Sequence, residues 1–439
     1  MGSEVGCARS AQKLAIFLIG VLLAVPAALA QGSGFNPQRR VGYSHGDQWE
    51  PAIAADGRGH VYILYPQYGP APDCLTCTAP TMSLLLSNDN GLTWQPSGTV
   101  LPLTTGQFDP QIVVDPADRQ TVYASWLQNN KRDTIVARSS DFGGTWSFSV
   151  ADRAPDDTDK PVLAVRGRDV YVGFNHDEEF FVAASHDFGE TFTSTRVNPG
   201  AGPGSSLAGG ATVDAAGNVF FGWTSYARHN MAARPVSVNV SRSLDGGRTW
   251  NTTLLDVSSA PPECEAQGCE TGFLGAQVAL TSDAAGAIYA LWNAGNRHGG
   301  PERIYFSSST TAGASWGAKA DVSTAEPGVE SCFPAITAGA SGDVRIAWMD
   351  TRDIDIRASG PRLWNTFYRS STNGGATWSA EARLSGAAHV NDYILPNGFR
   401  FPFGDYFSLA IDSQGATHAV WGEGKNYKSP GSIWYTRGR

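Results

Sequence analysis

Ser87-Asn88-Asp89-Asn90-Gly91-Leu92-Thr93-Trp94 decides the fold, because the chain repeats it. The pattern Ser-x-Asp-x-Gly-x-Thr-Trp returns at 139–146, at 185–192 with Phe192 in the Trp place, and at 243–250. Weaker copies follow at 309–316, with Thr311 in the Asp place, and at 371–378, with Asn373 there. Copies spaced 46 to 66 residues apart signal a repeat architecture. The phrase itself reads as a hairpin turn. Its Asp accepts hydrogen bonds from backbone N–H groups just ahead, its Gly supplies a positive φ, and its Trp is left to pack between neighbouring sheets.

Upstream of each copy lies a second repeating unit: an apolar strand, a Gly/Asp turn and a strand ending in an aromatic. It runs from Pro51 to Tyr65, Gln111 to Trp126, Val162 to Phe174, Ala211 to Trp223, Gln277 to Trp292 and Ala335 to Trp348. A seventh copy, Ser408 to Trp421, is followed by a third strand at 432–436, after which no turn phrase and no fourth strand come. Near-continuous apolar runs are expected of strands covered on both faces. The segment Pro37 to Tyr43 is placed to supply the missing strand, and closing the ring this way removes free sheet edges. The expectation is therefore an all-β, seven-bladed β-propeller of four-stranded antiparallel blades closed by an N-terminal strand. Counting turn phrases alone gives a six-bladed ring as the alternative.

The phrase is similar to the Asp-box, or BNR repeat, of the sialidase superfamily of β-propellers, and the resemblance covers most of the mature chain. It implies that the boxes are structural turns away from the ligand pocket. It also implies a carbohydrate-active protein with three arginines clamping a carboxylate, a Tyr–Glu nucleophile pair and an Asp acid/base. One departure stands out. The family's N-terminal Arg-Ile-Pro segment is missing, since Arg39-Arg40-Val41 falls in the closing strand and the nearest look-alike is Phe399-Arg400-Phe401-Pro402. Arg352, Arg400 and Arg228 or Arg297 are the candidates for an alternative cluster.

Residues 1–30 read as a secretory signal peptide. Arg9 and Lys13 lead, Leu14 to Leu23 is apolar, and Ala28-Leu29-Ala30 is a small-x-small cleavage site. The propeller is assigned to 31–439, with a secreted or periplasmic location. No segment is long enough for a membrane span. The 50 Gly, 25 Pro and 13 Trp fit a turn-rich β protein. A formal net charge of −9 with no basic stripe excludes a nucleic-acid partner. Cys74/Cys77 and Cys264/Cys269 each suit a small structural disulfide, with Cys332 left over or pairing with Cys264 or Cys269.

Ligands of propellers meet the face where loops lead into the innermost strands. Those loops carry Asp47 and Glu50, Asp109, Asp159 with Lys160, Glu270, Glu330, and Asp405 with Tyr406. Asp405, Glu330 and Asp109 are the acid/base candidates and Tyr406 the candidate nucleophile or base. Arg352, Arg400, Asp350, Trp348, Glu50 and Asp159 are the candidates for binding substrate. Individually, such carboxylates also serve as turn caps. His176, His229 and His298, in matching loops of three blades, are weak candidates for a metal site. No cofactor is required, and calcium at Asp350–Asp355 is possible chemistry. The leading expectation is a glycan partner whose glycosidic bonds are hydrolysed or cleaved in the axial pocket. The alternative is a non-catalytic glycan- or protein-binding propeller, and a histidine-dependent metalloenzyme is the third.

Overall fold

The structure, a computed structural model, describes residues 1–2, 34–43, 46–69, 71, 74, 76–99, 106–154, 158–176, 179–198, 205–226, 235–259, 275–298, 300–353, 363–386, 388–389, 404, 406–423 and 431–439. The chain divides into two units, Met1–Gly32 and Ser33–Arg439, and everything below lies in the second. Residues 3–30 of the proposed leader, His229, Arg400, Asp405, Cys264 and Cys269 fall outside the described residues.

Seven antiparallel sheets follow one another along the chain. Their innermost strands are Ala52–Ala55, Phe108–Val114, Thr158–Arg166, Ser205–Val213, Val278–Ser282, Ser331–Ala338 and Ser408–Ile411, which head blades one to seven. Blade one gains a short strand, Asp47–Gln48, and blade six gains Ala388–His389. Blade seven takes its outer strand from the other end of the chain: Arg39 pairs with Tyr435 and Arg40 with Trp434. The seven-bladed ring closed by the N-terminal segment is thus the observed fold, and the six-bladed alternative is excluded.

The ring is held by side chains between blades. Among the described residues, seven apolar clusters occupy the seven joints, including the closing joint, where Ile53, Ile63 and Tyr65 of blade one meet Val420, Ile433 and Tyr435 of blade seven. Strand-two tryptophans are fully enclosed there, and their indole N–H groups are satisfied. Trp126, Trp348 and Trp421 each donate to the side chain two residues on, Gln128, Asp350 and Glu423. A buried indole N–H needs such a partner.

The repeated turn has one geometry throughout. In the first copy Gly91 N–H donates to Ser87 Oγ at 2.8 Å and Ser87 donates to Asp89 at 2.7 Å. The other Asp89 bonds come from Thr93 N–H at 2.8 Å and Thr93 Oγ1 at 2.6 Å. The same set recurs at Ser139, Ser185 and Ser243. In the weaker copies the Thr311 hydroxyl and the Asn373 amide oxygen take over the acceptor role. The aromatic ending each turn packs into the joint with the preceding blade, as Trp378 does edge-on against Phe306 at 5.1 Å. Among the described residues blade seven shows no such turn, and Phe35 takes the equivalent place. Its ring meets Tyr368, the blade-six counterpart of Phe306, edge-on at 4.8 Å.

Candidate functional site

The turns lie beside the hairpins that follow the innermost strands, since Asn90 N–H donates to Gly59 O and Gly374 N–H to Gly342 O. The axial face where chain enters those strands is therefore the opposite end. Small residues on the inner strands (Ala211, Ala279, Ala335) leave a central cavity of about 250 Å³ there, lined by all seven blades. A wider cavity of about 750 Å³ opens at the other end, walled by the hairpins.

The mouth of the axial cavity is built on one repeated backbone step. In register just ahead of the apolar run of each inner strand stand Glu50, Asp109, Lys160, Ala208, Gln277, Phe333 and Tyr406, in blade order. Four of them hold a positive φ: Glu50 at 53°, Asp109 at 54°, Lys160 at 52° and Phe333 at 55°. Each of the four precedes a proline, and in blades two, three and six the ladder register shifts across the step. A left-handed non-glycine residue costs on the order of 1–3 kcal/mol, and a following proline further restricts the residue before it. Such a conformation persists only where the surroundings over-determine it.

Two of the strained positions, Asp109 and Lys160, line the cavity together with Tyr406 and Gln277. Their charges interlock. Lys160 Nζ lies 3.7 Å from Asp109 Oδ1, Lys131 Nζ lies 3.9 Å from Asp109 Oδ2, and Lys131 Nζ is 2.9 Å from Asp159 Oδ1. Lys160 also stands over the Tyr406 ring at 5.1 Å from its centroid, a cation–π distance. Burial works to raise the Asp159 carboxyl, but Lys131 and then Lys160 outweigh it and bring it down to about 2. Aromatic rings adjoin the lysines, with Lys131 over Phe108 at 5.7 Å and Phe108 beside Tyr68, which stacks on the buried Trp49. Glu50 is buried and packs against Gly404, whose φ of +65° and lack of Cβ permit the approach.

The other residues singled out from sequence sit elsewhere. Glu330 is fully buried at the joint of blades five and six, where its carboxylate accepts from Glu302 N–H at 3.2 Å and from the Cys332 thiol at 3.5 Å. Trp348 is enclosed, and Asp350 is fully buried and ion-paired with Arg352 at 2.6 Å. Arg352 also binds Glu381 at 2.6 Å and covers the Phe367 ring at 3.8 Å. These three form an internal anchor behind blade six. His176 is half-buried beside Phe181, and His298 is exposed on blade five.

Among the described residues, the group of three ligand-type side chains close enough to share an ion is Glu302, Glu330 and Cys332, with one atom of each within 4.8 Å of the others. Burial and then the Glu330 charge push the Glu302 carboxyl well above its ordinary range, and burial does the same to Cys332. Ser258 and Asn293 donate to Glu302. The group thus holds protons and hydrogen bonds as a packed structural unit. Cys74 and Cys77 form the expected disulfide, and Cys332 is a buried free thiol.

Sequence reasoning named Asp109, Asp159 and Tyr406. It passed over Lys131, over the pre-proline step and over Glu302. The step had a visible signal, since Glu50-Pro51, Asp109-Pro110, Lys160-Pro161 and Phe333-Pro334 stand in register.

No protein-family model matches the chain, and no curated protein matches it. Among solved structures it is similar to a protein of unknown function from Dyadobacter fermentans, at 13% identity and a TM-score of 0.49 over 91% of this chain and 98% of that one. It is similar to a polysaccharide lyase, an ulvan lyase, at 12% identity and a TM-score of 0.49 over 90% and 95%. A Hadza microbial sialidase gives 15% identity and a TM-score of 0.47 over 92% and 68%. Likenesses this distant concern overall shape and assign no residue a role.

Proposed function

We propose that the protein acts on glycans at the axial mouth, cleaving a glycosidic bond there. The observation behind this reading is the convergence of the Asp109 carboxylate, the Tyr406 phenol and the Lys160 ammonium from blades two, seven and three on an open cavity, with Lys131 behind Asp109. Asp109 serves as base, taking a proton from the water that attacks the anomeric carbon as its bond to the departing oxygen breaks; Tyr406 gives that oxygen a proton, and Lys131 and Lys160 offset negative charge that develops on the oxygens. Such positioned proton transfer is worth roughly 10²–10⁴-fold in rate. The leader-like residues 1–30 support an exported protein, with the glycan met outside the cytoplasm.

The test is a panel of acidic and neutral oligosaccharides, with and without added calcium. Asp109→Asn and Tyr406→Phe are expected to lower turnover by at least about 100-fold. Turnover unchanged in both variants removes the catalytic assignment. A second reading, a glycan-binding propeller without catalysis, is favoured by the internal engagement of Glu330 and Arg352, two groups that sialidase-like chemistry would draw on. Binding without turnover in the wild type selects it.

A further inference from the structure

We propose that the left-handed pre-proline step is the device that presents Asp109 and Lys160 to the ligand, and that Lys160 is a specificity-determining residue of the axial site. The ligand's identity rests on the glycan reading above; the conformational part does not.

The step costs stability wherever a side chain occupies it, and glycine would take the same φ freely. Asp109 at 54° and Lys160 at 52° nevertheless carry ionisable side chains there. Glu50, Asp109 and Phe333 are buried at this step, Phe333 in the apolar joint of blades six and seven and Asp109 in the wall of the cavity. Packing therefore accounts for Phe333 at its strained position. For Lys160 the neighbours include Asp109 and the face of Tyr406, both lining the cavity. A glycine in place of Lys160 would satisfy the backbone of blade three on its own, so the ammonium is what the strain retains. It sits between the carboxylate and the phenol assigned to the reaction, where a sugar hydroxyl or ring oxygen would meet it. Lys131 approaches the same carboxylate from the strand-two side, so loss of Lys160 changes the shape of the site without stripping it of charge.

The experiment compares alanine with glycine at both positions, using urea midpoints and affinity for an oligosaccharide that the wild type binds. Lys160→Gly and Asp109→Gly are expected to be more stable than Lys160→Ala and Asp109→Ala, by on the order of tenfold in the folding equilibrium. Both Lys160 variants are expected to lose roughly tenfold or more in KM or Kd, with partial recovery in Lys160→Arg, which keeps the charge. Arg119→Gly is the control. Arg119 also holds a positive φ, 55°, but lies at the opposite end of the channel, so this change should stabilise without altering affinity. Glycine variants no more stable than their alanine partners overturn the strained step. A Lys160→Gly protein that binds like wild type overturns the role of Lys160. A wild type that binds no member of the panel overturns the glycan reading, and the glycine–alanine comparison still decides the step itself.

Discussion

Phe35→Ala tests how the ring is closed. Phe35 belongs to the segment that crosses from the N-terminus to blade seven. Its backbone bridges to Gly438, and its ring lies against that glycine and, edge-on, against Tyr368. Truncating a fully buried Phe costs about 3–5 kcal/mol. Phe35 is half-buried, so about half of that, ~2 kcal/mol, is expected, of which the aromatic pair accounts for ~0.5–1.5 kcal/mol. That is roughly a 30-fold change in the folded-to-unfolded ratio. Trp378→Ala is the internal standard, because Trp378 makes the equivalent edge-on contact at the preceding joint. Urea unfolding followed by tryptophan fluorescence and by far-ultraviolet circular dichroism gives both midpoints, with unchanged slopes expected. A loss below about 0.5 kcal/mol for Phe35→Ala, beside a full loss for Trp378→Ala, would show that Phe35 does not stand in for the missing turn aromatic.

Three further outcomes are expected. Ser139→Ala removes a buried acceptor for Gly143 N–H and a donor to Asp141, and should cost about 1–3 kcal/mol by thermal or urea unfolding. The Asp89 carboxyl, which burial alone would raise, is brought down to about 2 by bonds from Thr93 and Ser87, and Asp159 reaches about 2 through its lysines. Because their folded pKa values lie below the unfolded ones, these groups stabilise above about pH 4, and that contribution disappears as pH falls towards 2; an acid titration of Asp159→Asn should show a shallower decline than wild type. Glu302 has the opposite sign. Its carboxyl is pushed up by burial and Glu330, so stability should fall as pH rises above the unfolded value, about 4.3. Glu302→Gln should flatten urea midpoints measured between pH 5 and 8, and midpoints still falling with pH in that variant would place the titration elsewhere.

What was legible in the sequence was local. The turn phrase closes its hydrogen bonds within eight residues, Ser87 to Trp94, so its geometry follows from the residues alone. The strand units were legible because each inner strand is covered on both faces. Even the closing strand was legible, since blade seven lacked a fourth strand and the N-terminal segment had none before it. The site was legible only in part. Glu330 and Asp109 stand in equivalent-looking loops, yet one is enclosed at a joint and the other reaches the cavity. The difference is one of register: Asp109 stands on the pre-proline step, whereas Glu330 lies three residues ahead of its own blade's step residue, Phe333, and meets Glu302 across the joint. The internal pairing of Arg352 was not legible for a related reason. Its partner Glu381 lies far along the chain, and that pairing exists only once blade six is assembled.

The closing strand also sets an order of events. Thr436 Oγ1 donates to Asn36 O across a sequence separation of 400 residues, whereas the hairpins inside each blade join neighbours. By loop-closure entropy, bringing together ends about 400 residues apart costs about 3 kcal/mol more than closing a loop of about 10. Blades one to six can each complete their sheets as their own residues are synthesised, but blade seven must wait for its third strand, Ser432–Gly438, before the N-terminal strand can add to it. Until then Arg39 and Arg40 have no strand to pair with, and two unpaired edges persist at once, one at each end of the growing molecule. The segment carrying Arg39 and Arg40 precedes every blade in the chain and is built in after them, and protection of its backbone amides against exchange should appear after that of the other blades.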